Sequence, residues 1–552
     1  MALRVFFWLF CVICLGAPRP GAANDVLTAP AISAVGGFFA GDAPRKRKAV
    51  ERIGLTGLRD ALRWADVEDK DGQMALTRGS AATMAALREA QVLGTLMLLP
   101  QTPHRHEQKT VIKPRDLRAF AGFAAATARA FPAAQIEIAN EFNGGAFVSG
   151  PAKAMAPHAR ARLHAEMLRK VTAAGVPATR IIGGALHSMA GGYLWALLDA
   201  GGADHMAQFA VHPYTTQPEA FVRQLAVLRR HPAAAALEVA VTEFGTKEVA
   251  GAADFFWRAY CQFAKADVAL AHWYPLDARK DGYAPILGPD LHPTEVGRAL
   301  LWARQAVAGR IVQAFDPDAH TYGCLFDRRI LVIWGAPRAV IDLRGDLQMH
   351  TPSGGPASQP MRLSRDRVLI LQAPEGSAAL VPRRDIALAR QAVLFDSFDH
   401  FVFPPEPGAH SLVSQDREHD LRTCPGQDRP QAPWFPHLCA AKMPRAVWHD
   451  RGFVLPHQRA TFVTRYTMTK PAAVEIRVSL LVHARSEDGM RVRIRSQSEV
   501  LYAQQVQGGE DIILTPGHLG AGAQIEVALS HGASMRGDRG KFHMQVVEVL
   551  PQ

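Results

Sequence analysis

The sequence predicts an α/β fold in which a (β/α)8 TIM barrel is followed by C-terminal antiparallel β domains. Between residues 30 and 308, eight short apolar runs alternate with helical stretches, which is the pattern of parallel strands joined by helices. Eight such units in about 280 residues match the usual size of this barrel. Beyond residue 309, short runs separated by Gly, Pro and Asp replace the helical periodicity, which predicts antiparallel strands.

The eight barrel strands are predicted from β-type apolar runs. They cover residues 32–38, 58–64, 94–99, 136–139, 181–186, 209–211, 237–241 and 268–273. Amphipathic or alanine-rich patterns predict the main helices between them. These cover residues 81–93, 116–131, 159–173, 219–230, 252–264 and 293–306. An open doubly wound sheet is the competing fold, but the first run lacks the glycine-rich fingerprint that usually follows the first strand of that fold.

The chain after the barrel is predicted to form a small accessory β domain and a β-sandwich. We place the barrel at 24–308, the accessory domain at 309–385, and an irregular connection plus the sandwich at 386–552. The stretch 386–435 is rich in Pro, Asp and His, which is typical of an irregular connection. Alternating apolar residues predict the sandwich strands. These strands cover 461–467, 473–483, 490–495, 512–514, 525–529 and 541–549.

The N-terminal 23 residues have the pattern of a secretory signal peptide. A positive charge at Arg4 precedes an apolar run, and small residues end it near Ala23. The run is short for a retained membrane anchor, the alternative interpretation. We therefore expect a secreted or periplasmic protein with no transmembrane span in the mature chain. An oxidising compartment permits a Cys424–Cys439 disulfide, while Cys261 is predicted to be a core thiol in a buried helix.

The composition is that of a globular protein with excess positive charge. Hydrophobic residues make up 48% and charged residues 20%, which excludes a mainly disordered chain, and the formal net charge is +11. Such a balance favours anionic partners, but the one tight basic run, 45–48, lacks the interleaved aromatics expected for nucleic-acid binding. Arg491, Arg493 and Arg495 alternate and so share one strand face, which is either solvated or contacts an acidic polymer.

Two glutamates are predicted at the barrel mouth, where reacting groups of this fold lie at the carboxyl ends of strands. The fourth run is followed by Asn140-Glu141, and the seventh ends at Glu243. Two carboxylates facing each other across one mouth are what cleavage of a glycosidic bond requires. One donates a proton to the leaving oxygen, and the other attacks the anomeric carbon or positions a water. Salt bridges to loops are the alternative role for strand-end glutamates.

With these residues in place, the region 30–308 resembles the retaining glycoside hydrolases of clan A, of the family 39-like or family 5-like kind. In that clan an Asn-Glu pair ends strand four and a glutamate ends strand seven. The resemblance implies that Glu141 is the acid/base and Glu243 the nucleophile. It also implies that Asn140 holds the 2-hydroxyl of the sugar.

The same resemblance assigns roles at other strand ends. Arg59, with Arg63 as the competing candidate, would lie beside the nucleophile and keep it ionised. His212 and Tyr214 are candidates to hydrogen-bond the nucleophile. Trp273 would be the stacking platform under the sugar. For each of these residues, a purely structural role at the barrel rim or in its core is the alternative.

Other residues near strand ends carry weaker signals. His187 follows the fifth run and Pro100-Gln101 follow the third, so we expect both segments to line the groove. His104 and His106 have no nearby acidic partner, and we predict neither a metal nor a cofactor.

The predicted function is therefore a secreted retaining glycoside hydrolase. Its substrate would be a bacterial extracellular polysaccharide or its oligosaccharides, with an acidic polymer favoured by the basic charge. Two alternatives remain. One is a non-catalytic carbohydrate-binding or biofilm scaffold protein on a degenerate glycosidase barrel. The other is a polysaccharide lyase, which would need a Tyr or His base.

Overall fold

The structure is a computed structural model. It describes residues 26–38, 43–68, 74–75, 79–102, 109–343, 346–357, 362–401, 411–414, 417–423, 437–440, 443–449, 452–455 and 460–549. The predicted signal peptide, the His104 and His106 pair, and Cys424 of the predicted disulfide lie outside the described residues. The domain boundaries given above stay predictions.

Eight parallel strands form the barrel, and each predicted run corresponds to one of them. They are β1 (Ala31–Ala34), β2 (Leu58–Leu62), β3 (Leu93–Leu98), β4 (Gln135–Ile138), β5 (Ile181–His187), β6 (Gln208–His212), β7 (Glu238–Phe244) and β8 (Val268–Trp273). The order around the sheet is β1-β8-β7-β6-β5-β4-β3-β2, and a parallel bridge between Val35 and Arg59 joins its two ends. The predicted (β/α)8 barrel is therefore confirmed.

Helices cover the outside of the barrel. They are α1 (Ala43–Arg52), α2 (Trp64–Val67), α3 (Gly79–Glu89), α4 (Pro114–Ala130), α5 (Pro151–Ala154), α6 (Pro157–Ala173), α7 (Gly191–Asp199), α8 (Phe221–Leu228), α9 (Pro232–Ala236), α10 (Ala252–Lys265) and α11 (Glu295–Ala306). In α10, Asp254 in the first turn and Lys265 in the last complement the helix dipole. Among the described residues, no helix combines the length and apolar character needed to cross a bilayer.

A small β unit follows the barrel and packs on it. Its strands are β9 (Val312–Ala314), β10 (Thr321–Phe326), β11 (Ile330–Gly335), β12 (Arg338–Leu343), β13 (Gln348–His350), β14 (Arg362–Leu363), β15 (Leu369–Gln372) and β16 (Ile386–Leu388), with the short helix α12 (Pro382–Asp385) before β16. They form antiparallel sheets in the orders β13-β15-β11-β10-β9 and β14-β12-β16. Cys324 and Trp334 belong to the same apolar core as the barrel.

The prediction that Cys261 is a free core thiol is wrong. Cys261 of α10 forms a disulfide with Cys324 of β10, which ties the barrel to the small β unit across 63 residues of sequence. The helix is buried as expected. The pairing depends on how β10 packs against α10, and spacing along the chain does not show that contact.

The rest of the described chain forms two packed antiparallel sheets with one apolar core. The strands are β17 (Val393–Asp396), β18 (Ser411–Ser414), β19 (Arg417–Asp420), β20 (Arg422–Thr423), β21 (His437–Ala440), β22 (Met443–His449), β23 (Phe453–Leu455), β24 (Thr461–Thr467), β25 (Ala472–Val482), β26 (Met490–Ser496), β27 (Glu499–Val506), β28 (Gly509–Leu519), β29 (Gln524–His531) and β30 (Gly540–Glu548). One sheet has the order β20-β21-β22-β23-β30-β25-β28, with β17 beside β30, and the other has the order β19-β18-β24-β29-β26-β27.

The segment predicted as an irregular connection instead contains strands. Strand β17 pairs with β30, and β18 pairs with β24, so both are part of the sandwich. These strands are short, and β19 consists entirely of polar residues. They therefore lack the alternating apolar pattern on which the sequence prediction depended.

Candidate active site

The two predicted glutamates meet at the mouth of the barrel. Glu141 follows β4, and Glu243 lies near the carboxyl end of β7. Three atoms come close together here: one carboxylate oxygen of Glu141, one of Glu243 and a ring nitrogen of His212. Each lies within 4.8 Å of the other two. Both glutamate side chains are 13% exposed, so they are mostly buried but still accessible. Carboxyl groups about 5 Å apart suit direct attack by one of them, because no room is left for an intervening water.

The backbone after β4 is unusual where it carries Glu141. Ala139 and Glu141 both have positive φ angles, 68° and 43°, in the region that side chains seldom adopt. The Glu141 amide donates to the carbonyl of Ala185 in β5, 2.8 Å away. The Asn143 side chain donates to the His187 carbonyl and accepts from the His187 amide. These bonds join the β4 loop to β5 and hold Glu141 and His187 side by side.

Glu243 is held by a cation and a phenol. Arg59 Nη1 donates to Glu243 Oε1 at 2.6 Å, and the Tyr214 hydroxyl donates to Glu243 Oε2 at 2.9 Å. Arg59, rather than Arg63, thus occupies the position expected beside the nucleophile. Burial and the charge of Glu243 raise the pKa of Tyr214 well above its ordinary value, so the phenol keeps its proton and remains a donor.

Arg59 connects Glu243 to two other buried groups. Its Nε donates to Glu137 Oε2 at 2.5 Å, and its Nη2 donates to Asn140 Oδ1 at 2.7 Å. Burial alone would lower the pKa of Arg59, but the charges of Glu137 and Glu243 outweigh it and raise that pKa, so the guanidinium stays charged. The hydrogen bond from Arg59 Nη2 also orients the Asn140 side chain. Its Nδ2 has no hydrogen bond to any described residue, so it can donate one to a ligand.

Glu141 is held by two histidines. Both His187 Nδ1 and His212 Nδ1 contact Glu141 Oε1, at 3.1 and 3.0 Å. Burial would raise the pKa of Glu141, but the hydrogen bonds and positive charge of the two imidazoles hold it well below its ordinary value. The hydrogen bond to Glu141 in turn raises the pKa of His187.

The tautomer of His212 follows from its partners. Thr242 Oγ1 donates its single proton to Glu137 Oε1 at 2.6 Å, so it must accept from His212 Nε2, 2.9 Å away. His212 therefore carries a proton on Nε2, and Nδ1 faces Glu141.

Trp273 does not lie where a sugar platform would be. The ring is fully buried, its Nε1 donates to the Ala284 carbonyl at 2.8 Å, and it packs edge-on against Phe244. The structure therefore corrects the predicted role, because a platform needs an open ring face. Instead, Tyr274 and Tyr283 are partly exposed and pack around Tyr214, with Tyr214 and Tyr283 ring centroids 5.0 Å apart.

The site contains residues that sequence reasoning did not single out. Glu137, Thr242 and Asn143 complete its hydrogen-bond network, and Glu137 and Thr242 are fully buried. Glu137 did leave a signal, because a charged residue inside a short apolar strand needs a partner. Thr242 and Asn143 have no comparable signal. Of the other predicted groove residues, Gln101 contacts the Phe147 carbonyl at 3.4 Å.

A metal ion is the other occupant to consider. Glu141, His212 and Glu243 are close enough together to contact one ion. The Arg59 guanidinium already neutralises Glu243, and a divalent cation placed beside it would be repelled. The geometry therefore fits two reacting carboxylates better than a metal centre.

No family model matches this chain, and no curated protein is similar to it in sequence. Solved structures do resemble it. A family 39 glycoside hydrolase from the gut symbiont Bacteroides cellulosilyticus WH2 has a TM-score of 0.50 and 14% identity, covering 63% of this chain and 81% of that one. This likeness agrees, at the level of the fold, with the resemblance predicted from the sequence.

Two further structures are similar at lower scores. A family 39 beta-xylosidase from Caulobacter crescentus has a TM-score of 0.43 and 15% identity, covering 63% of this chain and 97% of that one. A family 30 endoxylanase from Clostridium papyrosolvens C71 has a TM-score of 0.45 and 10% identity, covering 63% and 98%.

Proposed function

We propose that the protein is a retaining glycoside hydrolase that cleaves polysaccharides or oligosaccharides outside the cytoplasm. The observation that carries this proposal is the approach of Glu141 and Glu243 oxygens to within 4.8 Å at the mouth of an eight-stranded barrel. Retaining enzymes have their two carboxyl groups about 5–5.5 Å apart, whereas inverting enzymes need roughly 6.5–9.5 Å to admit a water. The barrel fold shared with a glycoside hydrolase supports the same conclusion.

In the first step, Glu243 attacks the anomeric carbon while Glu141 gives its proton to the leaving oxygen. The glycosidic bond breaks, and a glycosyl ester forms on Glu243. Arg59 and Tyr214 orient the Glu243 carboxylate for attack by holding one oxygen each.

In the second step, the Glu141 carboxylate takes a proton from water, and the water oxygen attacks the anomeric carbon. The ester bond breaks, and Glu243 leaves as a carboxylate that Arg59 and Tyr214 again hold. Asn140 Nδ2 is available for a sugar hydroxyl near the reacting carbon. Because the net charge is +11, we propose an acidic polysaccharide as the substrate class and a secreted or periplasmic location.

The test uses E141Q and E243Q with a panel of aryl glycosides. E243Q should lose at least about a thousandfold in kcat/KM on every aryl glycoside, because it removes the attacking group. E141Q should lose most on substrates whose leaving phenol is a weak acid, because that phenol must be protonated as it leaves. E238Q, an exposed change at the far end of β7, is the matched control and should keep wild-type activity. Azide should restore turnover to E243A and E141A with opposite product anomers. Full activity in both Gln variants, or release of the inverted anomer by the wild type, would contradict the proposal.

A further inference from the structure

The second sheet of the sandwich carries a groove on its outer face. Strands β18, β24, β29, β26 and β27 contribute to it, and its volume is about 570 Å³. The side chains that matter here are Arg465, Arg491, Arg493, Arg495, Gln505 and Ser530. We call this surface the arginine groove. It lies on a different sheet system from the barrel mouth, so it is separate from the candidate active site.

Strand register explains why the arginines are presented to a ligand. Alternate residues of β26 point the same way, so Arg491 and Arg493 stand in a row about 7 Å apart. Ser530 lies across from Arg491, and Ala503 and Ala528 flank Arg493. Ser530, Ala503 and Ala528 are too short to cover the guanidinium groups, and both arginines are exposed. Gln505 also lies across from Arg491, but its side-chain amide donates to the Asp488 carbonyl.

The charges of the groove are only partly compensated. Glu526 pairs with Arg465 at 2.7 Å and also with Arg495, so these two cations are held in place by protein carboxylates. Arg491 and Arg493, in contrast, form no ion pair with any residue that the structure describes. Two uncompensated guanidinium groups side by side repel each other, and a ligand that carries spaced anions would relieve that repulsion.

We propose that the arginine groove binds a linear acidic polysaccharide through the carboxylates of its uronate residues. Guanidinium groups bind carboxylates with two parallel hydrogen bonds, and the Gln505 amide oxygen and the Ser530 hydroxyl offer neutral partners for sugar hydroxyls. No aromatic side chain is among the lining residues, so the groove lacks the stacking surface that nucleobases and neutral sugars use. The choice of a glycan over another polyanion rests on the proposed function.

Such a groove would hold the enzyme on its polymer. A second binding surface on the same chain raises the local concentration of substrate at the barrel mouth without changing the chemistry there. Its contribution should be largest for long acidic chains. Since the contact is electrostatic, it should weaken as salt is added.

The test measures binding of the full chain in an E243Q background, in which turnover is removed. Affinity electrophoresis at one ionic strength compares three polyuronates (polygalacturonate, alginate and polyglucuronate) with dextran and single-stranded DNA. We expect R491Q/R493Q to bind at least one polyuronate at least about tenfold more weakly. The control R477Q/R536Q removes two exposed charges elsewhere in the sandwich and should change binding less than about twofold.

Several results would overturn this proposal. They are unchanged polyuronate binding in R491Q/R493Q, an equal loss in R477Q/R536Q, absence of binding to all three polyuronates, and DNA binding as tight as polyuronate binding. The proposed function fails separately. If E141Q and E243Q kept full activity on aryl glycosides while the groove variants lost polyuronate binding, only the hydrolase mechanism would be wrong.

Discussion

The guanidinium of Arg59 lies 2.6 Å from Glu243, from Nη1 to Oε1, and the same group also holds Glu137 and Asn140. One cation from β2 therefore fixes a carboxylate from β7 and an amide that follows β4. Because a lysine has a single ammonium group, R59K keeps the charge but cannot serve three acceptors in this fork geometry. We expect kcat/KM on aryl glycosides to fall roughly a hundredfold or more. R52K, an exposed change in α1, is the control, and wild-type activity in R59K would contradict the assignment.

The Tyr214 hydroxyl should contribute to catalysis through its hydrogen bond to Glu243. A hydrogen bond to a charged group is worth about 1.5–3 kcal/mol, so Y214F should lower kcat roughly tenfold to a hundredfold. Y502F removes a hydroxyl that donates to Glu510 in the sandwich, so it is a matched control and should leave kcat unchanged. Equal kcat values for Y214F and the wild type would show that Glu243 does not need this donor.

The contact between His187 and Glu141 predicts the direction in which the pH dependence of kcat/KM should move when His187 is replaced. His187 helps to hold the pKa of Glu141 low, while burial acts to raise it. Removing the imidazole in H187Q leaves burial less opposed, so the pKa of Glu141 should rise. Because the acid must be protonated, the alkaline limb of kcat/KM should move to higher pH. H158Q, an exposed change in α6, is the control. A shift to lower pH would mean that His187 itself stores the reacting proton.

The disulfide between Cys261 and Cys324 should stabilise the junction of the barrel and the small β unit. It closes a loop of 63 residues, for which chain entropy predicts about 4 kcal/mol. C324A should therefore lower the melting temperature in differential scanning calorimetry. C261A and the double variant should show a similar loss, since each removes the same bond. An unchanged melting temperature in both single variants would contradict this role.

Sequence reasoning predicted the barrel because its strands are buried on both faces and so form apolar runs with little ambiguity. Since parallel strands end at one rim, the predicted strand ends also indicated that Glu141, Glu243 and Arg59 lie near one another. It did not predict which way a side chain would turn. Trp273 ends a strand as expected, yet its ring points into the core, and residue type alone does not separate these outcomes.

Contacts between distant parts of the chain could also not be predicted from the sequence pattern. The Cys261–Cys324 bond depends on the packing of β10 against α10, and no local spacing encodes it. Strands β18 and β19 are short, and β19 is entirely polar. Strand β18 forms because β24 offers it an edge, and β19 then pairs with β18. In each case tertiary contacts decide the structure where local periodicity is weak.

Thr242 provides the sharpest test of the proton arrangement in the site. Its hydroxyl is the only group described between His212 Nε2 and Glu137 Oε1, at 2.9 and 2.6 Å, and it is fully buried. T242V keeps the shape but leaves both partners unsatisfied, which costs about 1–3 kcal/mol per buried group. His212 then loses the acceptor that fixes its tautomer. Whether its Nδ1 carries a proton where it faces Glu141 is then no longer set by a hydrogen bond to Thr242.

We therefore expect T242V to lower kcat/KM at least about tenfold and to change the shape of its pH profile. T242S restores the hydroxyl and should recover most of the activity and the wild-type profile, although it leaves a small cavity. Melting temperatures separate the two effects, because a purely structural role would lower stability without altering the profile. If T242V and T242S gave the same pH profile as the wild type, the His212 tautomer would not depend on Thr242.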